Sequence, residues 1–179
     1  MKYILLLLLA FCQTAAFAQA DTTLPPYKRF PTLPPLQLYL GDSTTKYTKA
    51  SIPGNKPVLI MLFSPDCSHC QHTAEEMLQY KEEIKNIHIV MATLHPIWMM
   101  NEFVQKYRLT ELPNVVVGKD VHFILPPFYN VKSLPYLAFY NRKGALLMGH
   151  EGSMPLQKAL GIFGQSPESK TPKAKKEKE

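Results

Sequence analysis

The chain has 179 residues, a formal charge of +6 at pH 7, and apolar residues making up 46% of its composition. This length fits a single domain. The basic residues form no concentrated stripe with interleaved aromatic residues, so the sequence excludes a typical nucleic-acid-binding protein and predicts no nucleic-acid partner.

The first twenty residues have the pattern of a cleaved signal peptide. A short charged start is followed by the apolar run Ile4–Phe11 and by Ala18-Gln19-Ala20, so cleavage is predicted near Ala20. A membrane-spanning helix needs roughly 20 apolar residues, which this run does not supply. Cys12 suggests lipidation as an alternative, but Phe11 stands where lipoprotein signals have a small residue. The leader therefore predicts a secreted, periplasmic protein.

The remaining chain is predicted to form one α/β domain over residues 36–165. Residues 21–35 are a Pro-rich extended lead-in, and residues 166–179 are a Lys-rich tail that is predicted to be disordered. Apolar runs and turn residues predict six strands and three helices. The predicted strands are Leu36–Leu40, Val58–Phe63, Ile87–Leu94, Val115–Val117, Tyr136–Tyr140 and Ala145–Gly149. The predicted helices are 67–85, 97–107 and one that begins at Pro155. This order predicts an α/β sandwich with a mixed central sheet.

A Cys67-Ser68-His69-Cys70 motif stands where a buried strand is predicted to end and a helix to begin. Free N–H groups and the helix dipole favour a thiolate at Cys67, so this residue is the predicted nucleophile. Cys70 lies one turn inside the helix and can resolve a mixed disulfide by attacking Cys67. The loop between them is too small to matter for stability. The motif therefore predicts an enzyme of thiol–disulfide exchange with no organic cofactor, since the dithiol is itself the redox group.

Two histidines near this motif are candidates for the chemistry. An imidazole of His69 that is protonated or donates a hydrogen bond would favour the Cys67 thiolate and make the pair more oxidising, whereas the neighbouring Asp66 carboxylate opposes this. An exposed loop residue is the alternative interpretation of His69. His95, at the end of a predicted strand, is interpreted as a structural histidine, with a position in the active-site cleft as the alternative.

The chain resembles the TlpA/ResA-like family of extracytoplasmic thioredoxin-fold proteins over about residues 30–163. The resemblance rests on the run Val58–Phe63, on Phe63–Cys70, and on the stretch Tyr129–Tyr140. It implies a thioredoxin-like fold with a central mixed β-sheet flanked by helices. It also implies a cis-proline at Pro135 that faces the dithiol and helps to keep metals from the two sulfurs. The backbone of Leu134 would pair with an extended substrate segment.

The same resemblance implies protein thiol or disulfide substrates, a reductase rather than an oxidase, and a membrane-bound redox partner. The chain departs from the family in three places, where Ser64-Pro65-Asp66, Met61 and Thr73 replace an aromatic Trp, a buried carboxylate and a Glu, respectively. The acid–base helper of Cys70 is therefore left open, with three candidates: His72, Glu75 and Glu76. No dimerisation element is evident, so a monomer is expected.

Two other functions stay open at this point. Metal binding or delivery, of copper above all, would use the thiolates and imidazoles clustered in one segment, namely Cys67, His69, Cys70 and His72. A structural zinc site would need four ligands at suitable spacing, so no resident metal is predicted. Thiol peroxidase activity would use a Ser or Thr three positions before the reactive cysteine, and Ser64 fits. The proline that should accompany it is replaced by Ile60.

Overall fold

The computed structural model describes residues 24–164, which include one sheet of seven strands. In chain order these are β1 Gln37–Tyr39, β2 Lys46–Thr48, β3 Val58–Leu62, β4 His88–Thr93, β5 Val115–Lys119, β6 Tyr136–Tyr140 and β7 Leu146–Glu151. Their order across the sheet is β2-β1-β5-β4-β3-β6-β7. β4 is parallel to β3 and β5, whereas the other neighbours are antiparallel. The predicted α/β sandwich with a mixed central sheet is confirmed.

Helices cover both faces of this sheet. They are α1 Pro26–Arg29, α2 Ser68–Gln79, α3 Lys81–Ile84, α4 Ile97–Lys106, α5 Leu125–Tyr129 and α6 Leu156–Gly164, with 3-10 turns at Lys49–Ser51 and Leu109–Glu111. The predicted single helix over 67–85 is wrong, because the backbone leaves helical geometry at Tyr80 (φ −103°, ψ 32°). The break lets Ile84 become fully buried, and the side chain of Asn114 donates to the Ile84 carbonyl at 2.9 Å.

The central strands carry the core on both of their faces. Every residue of β3, β4 and β6 is buried, which confirms the predicted strand covered on both sides, although it ends at Leu62 rather than at Phe63. Because side chains alternate across a strand, Met61 packs in the layer beneath α2, α4 and α6, while Ile60 packs in the layer beneath α5. The central strands are therefore packed on both faces, and the parallel pairing of β3 and β4 places the loops at their carboxyl ends side by side.

Three elements of the structure were not predicted, namely α1, β2 and α5. The lead-in is consequently not extended throughout, since Pro26–Arg29 makes one helical turn, and only then does Thr32 bridge to Ala145 beside β7. The predicted signal peptide, residues 1–20, and the tail, residues 166–179, lie outside the described residues. Between residues 24 and 164, no helix is long and apolar enough to cross a membrane.

Candidate dithiol active site

Cys67 occupies the N-cap position of α2, immediately after the loop that follows β3. Its backbone is extended (φ −81°, ψ 113°), and its Sγ accepts a hydrogen bond from the backbone N–H of Cys70 at 3.3 Å. The sulfur thus takes the place of the oxygen that usually caps a helix. A backbone donor and the positive end of the helix dipole both favour negative charge on this atom.

The two thiols differ sharply in their surroundings. Both are free thiols, but Cys67 is partly exposed whereas Cys70 is fully buried in the core layer that contains Met77. Burial, reinforced by the hydrogen bond with Cys67, raises the pKa of the Cys70 thiol to about 12. A substrate from solution can therefore reach the sulfur of Cys67 but not that of Cys70.

The loop before β6 forms the wall opposite the dithiol. The Leu134–Pro135 peptide bond is cis, and the carbonyl oxygen of Leu134 lies 3.7 Å from Sγ of Cys67, within reach of a hydrogen bond donated by the thiol. β6 pairs directly with β3, with Tyr136 opposite Leu62, so the short loops beside these two strand ends are held next to each other. The sheet thereby brings together the two sequence motifs that lie almost seventy residues apart.

A hydrogen bond between Ser64 and His95 links the loops that follow β3 and β4. The Ser64 hydroxyl lies 2.9 Å from Nε2 of His95, and the same oxygen accepts a weaker hydrogen bond from the N–H of Asp66 at 3.4 Å. Both interpretations of His95 receive support, since the ring is hydrogen-bonded to Ser64 and the residue also lines a cavity beside the dithiol. The Ser64 hydroxyl is directed to His95 rather than to the sulfur of Cys67, unlike the arrangement that a peroxidase would need.

The histidines of the motif segment do not converge on the thiols. His69 and His72 are exposed, and His72 lies 3.8 Å from the carboxylate of Glu75. The His69 carbonyl accepts a hydrogen bond from Thr73, but within the described part of the chain its ring has no hydrogen-bond partner. Among residues 24–164, no three side chains of His, Cys, Asp or Glu come together as a metal site requires.

A cavity of about 440 Å³, which no motif in the sequence predicts, lies beside the dithiol. It is bounded by the carboxyl ends of β3 and β4, by the segment after β5, and by the loop that ends at Leu134. Most of its wall is apolar, and the buried Asp120 is among the residues that line it. Leu134 therefore belongs to both places, with its carbonyl facing Cys67 and the residue itself lining the cavity.

A family model described as a thioredoxin-like domain matches residues 45–165. The chain belongs to the thioredoxin-like family. No sequence among the curated proteins matches the chain.

Solved structures share this thioredoxin-like fold. A secreted Mycobacterium tuberculosis disulfide oxidoreductase, homologous to E. coli DsbE, is 20% identical with a TM-score of 0.61, covering 73% of this chain and 95% of its own. A thiol:disulfide interchange protein from Chlorobium tepidum is 12% identical with a TM-score of 0.61, covering 74% of this chain and 92% of its own. StoA from Bacillus subtilis is 12% identical with a TM-score of 0.56, covering 74% and 98%. At these identities the likeness shows the shared fold.

Proposed function

We propose that this thioredoxin-like protein is a thiol–disulfide oxidoreductase that exchanges disulfides with protein substrates outside the cytoplasm. The observation that carries the proposal is the asymmetry of the dithiol. The Cys67 sulfur is reachable and capped by a backbone N–H, while Cys70 lies buried directly behind it with a pKa of about 12. One sulfur is placed to attack a partner, and the other is shielded from it.

The exchange conserves electrons without any further group. The Cys67 thiolate attacks a substrate disulfide, and one substrate sulfur leaves as a thiolate that takes up a proton. A mixed disulfide between Cys67 and the second substrate sulfur is the result. Cys70 then gives up its proton and attacks Sγ of Cys67, which releases the second substrate thiol and leaves a Cys67–Cys70 disulfide. The substrate gains two electrons and the protein loses two.

The location and the partners are part of the same proposal. The leader over residues 1–20 supports export, and two structures with this fold are described as a secreted disulfide oxidoreductase and a thiol:disulfide interchange protein. After each cycle as a reductase, the Cys67–Cys70 disulfide must receive two electrons from a reduced dithiol. A membrane-bound redox partner would supply them, as the family resemblance implies.

Trapping of the mixed disulfide tests the assignment of the two cysteines. Cys70→Ser should accumulate adducts linked through Cys67, because the resolving thiol is gone, while Cys67→Ser should lose exchange with a model peptide disulfide. The double variant Cys67→Ser/Cys70→Ser gives the background. Full exchange activity in Cys67→Ser would overturn the proposal.

The direction of electron flow is tested by the equilibrium potential of the Cys67–Cys70 couple in protein that begins at Asp21. We propose that the protein is a reductase, which requires a potential near or below about −220 mV against glutathione buffers. A value near about −120 mV, typical of strong periplasmic oxidants, would instead make it a disulfide donor. In that second case the protein would still exchange disulfides. The measurement therefore tests the reductase direction independently of the exchange activity.

A further inference from the structure

The surroundings of the resolving thiol are apolar rather than charged. Cys70 is fully buried in the core layer beneath α2, α4 and α6. The charge of no carboxylate or imidazole in residues 24–164 is among the main influences on its pKa, so none of the three predicted helpers, His72, Glu75 and Glu76, acts strongly on it. His72 and Glu75 are exposed. Another kind of group therefore has to help Cys70 to become a nucleophile.

The backbone of Ser64 contacts both cysteines. Burial raises the pKa of Cys70 to about 12, and a hydrogen bond from the backbone N–H of Ser64 opposes this rise. The carbonyl oxygen of Ser64 accepts a hydrogen bond from the N–H of Cys67 at 3.1 Å. A donor that faces the Cys70 sulfur stabilises the negative charge that develops there when the proton leaves. The orientation of the Ser64 backbone therefore bears on the resolving step.

The side chain of Ser64 is held by His95, which belongs to the loop after the neighbouring strand. Just past the end of β3, the N–H of Phe63 donates to the carbonyl of Ala92 at 3.0 Å. One residue further, the Ser64 hydroxyl lies 2.9 Å from Nε2 of His95. The N–H of His95 donates in turn to the hydroxyl of the buried Thr93 at 3.2 Å. Through this ring, Ser64 is tied to the end of β4.

The attacking sulfur does not depend on this connection. Sγ of Cys67 accepts its hydrogen bond from the N–H of Cys70, within the first turn of α2, and the dipole of the same helix favours its thiolate. Both effects originate in α2 and would remain if Ser64 lost its anchor. Since the two sulfurs use different donors, loss of the Ser64–His95 bond should affect resolution more than attack.

We propose that Ser64 and His95 form a positioning pair for the resolving step, in which the bond between their side chains keeps the Ser64 N–H directed at the sulfur of Cys70. The inference rests on the proposed function. In this step Cys70 gives its proton to water or a buffer base, and its sulfur attacks Sγ of Cys67. The Cys67–Cys70 bond forms, the bond from Cys67 to the substrate breaks, and the substrate sulfur leaves as a thiolate. His95 acts through Ser64 and takes no proton.

The reaction of reduced protein with excess dithiobis(nitrobenzoate), a disulfide with a coloured thiolate product, separates the two steps. Attack by Cys67 releases one thiolate at a rate that rises with reagent concentration, whereas resolution by Cys70 releases a second at a rate that does not. Cys70→Ser, which releases only the first, assigns the phases. Ser64→Ala should slow the second release about three- to tenfold, as expected for the loss of one neutral hydrogen bond, and leave the first nearly unchanged. An unchanged second release, or equal slowing of both, would overturn the proposal.

Variants of His95 separate positioning from proton transfer. His95→Ala should slow the second release as much as Ser64→Ala does. His95→Gln should stay near the wild-type rate, because an amide can still form a hydrogen bond with Ser64 but does not titrate. The double variant Ser64→Ala/His95→Ala should be no slower than either single variant, because both remove the same bond. A His95→Gln protein as slow as His95→Ala, or additive losses in the double variant, would contradict the positioning pair.

Tyr47→Phe is the matched control for a loss of stability alone. Like Ser64→Ala, it removes a hydroxyl that is hydrogen-bonded to an imidazole, here that of His88. His88 is the first residue of β4, whereas His95 follows the carboxyl end of that strand, so both releases should be unchanged in this variant. A second release slowed as much as in Ser64→Ala would overturn the proposal.

Two further outcomes are distinguishable. If His95→Ala fails to fold, Ser64→Ala, which removes a single hydroxyl, and His95→Gln still decide the matter by the criteria above. Failure of the proposed function has a different signature, because the wild-type protein would then not exchange with a model peptide disulfide, whichever release the variants change.

Discussion

The carbonyl oxygen of Leu134 lies 3.7 Å from the sulfur of Cys67, across the mouth of the dithiol site. While Cys67 is a thiol, its hydrogen can be donated to this carbonyl. Once Cys67 has entered a mixed disulfide, that hydrogen is gone and the carbonyl is open to a backbone N–H of the bound partner. On this basis we propose that an extended substrate segment pairs with the backbone of Leu134.

Peptide substrates with one methylated backbone nitrogen test this pairing. We expect a loss of about three- to tenfold in kcat/KM at a single position of the methyl group near the substrate cysteine, because one neutral hydrogen bond contributes about 0.5–1.5 kcal/mol. Methylation at the other positions should have little effect. A uniform small loss at every position would mean that the Leu134 carbonyl makes no specific bond to substrate.

The Ser64–His95 hydrogen bond should stabilise the fold. Ser64→Ala removes the partner of the His95 ring at 2.9 Å and the acceptor of the Asp66 N–H, so we expect a loss of about 1 kcal/mol in the free energy of unfolding. Urea denaturation measures it. Ser68→Ala, at an exposed position on the other side of Cys67, is the control and should be nearly neutral. Equal losses in the two variants would contradict the assignment.

His69→Ala measures what the exposed imidazole contributes to the redox couple. With no hydrogen bond from its ring within residues 24–164, His69 can act on the Cys67 thiolate only through space. We expect the variant to be more reducing by no more than about 20 mV, with the difference vanishing in high salt, because exposed charges interact weakly and are screened. A larger, salt-independent shift would show that the ring contacts the sulfur during the cycle.

The dithiol could be predicted from the sequence because its signals are local. A buried apolar run, a break at 64–66 and an amphipathic segment after Cys67 suffice to place the motif at the start of a helix. The end of that helix was not predictable in the same way. No Gly or Pro near Tyr80 marks the break. It is accompanied by a hydrogen bond from the side chain of Asn114 to the carbonyl of Ile84, thirty positions earlier in the chain.

The cavity escaped prediction because several distant segments build its wall. Asp120 is an ordinary loop aspartate in the sequence, and its burial becomes evident only once α5 is in place. Two consecutive prolines, Pro126 and Pro127, usually mark a break, although proline is well tolerated in the first turn of a helix. Asn130, which has a left-handed backbone (φ 54°) directly after the helix, is a signal that could have revealed its end.

The buried thiol of Cys70 should make the reduced protein lose stability in alkali. Its pKa is raised to about 12 in the folded state, whereas an unfolded cysteine titrates near 8.5. Above pH 8.5 the unfolded chain therefore binds fewer protons than the folded one, and stability falls as pH rises, by up to about 1.4 kcal/mol per unit. Reduced Cys70→Ser, measured between pH 8 and 10, should lack this component. Parallel curves for the two proteins would contradict the burial of the thiol.

Titration of His88 should make the folded protein lose stability as the pH falls below neutrality. Burial, and then the charge of Lys56, lowers the pKa of His88 below its usual 6.5, and the ring lies 2.6 Å from the hydroxyl of Tyr47. Burial raises the pKa of Tyr47 to about 12, so this hydroxyl stays protonated and keeps its hydrogen bond with the neutral ring. Below pH 6.5 the unfolded chain gains a proton that the folded protein resists, so stability present above pH 6.5 is lost as pH falls.

A His88→Gln variant isolates this effect, because a glutamine amide can still form a hydrogen bond with Tyr47 and does not titrate. Between pH 6.5 and 5, wild-type stability should fall more steeply than that of the variant, by up to about 1.4 kcal/mol per unit. The window stays above the range in which carboxyl groups such as Asp42, whose pKa is lowered to about 2, contribute. Tyr47→Phe serves as the control, since it removes the hydroxyl but keeps the titrating ring and therefore keeps the slope. Equal slopes in the wild type and His88→Gln would place the titration in another group.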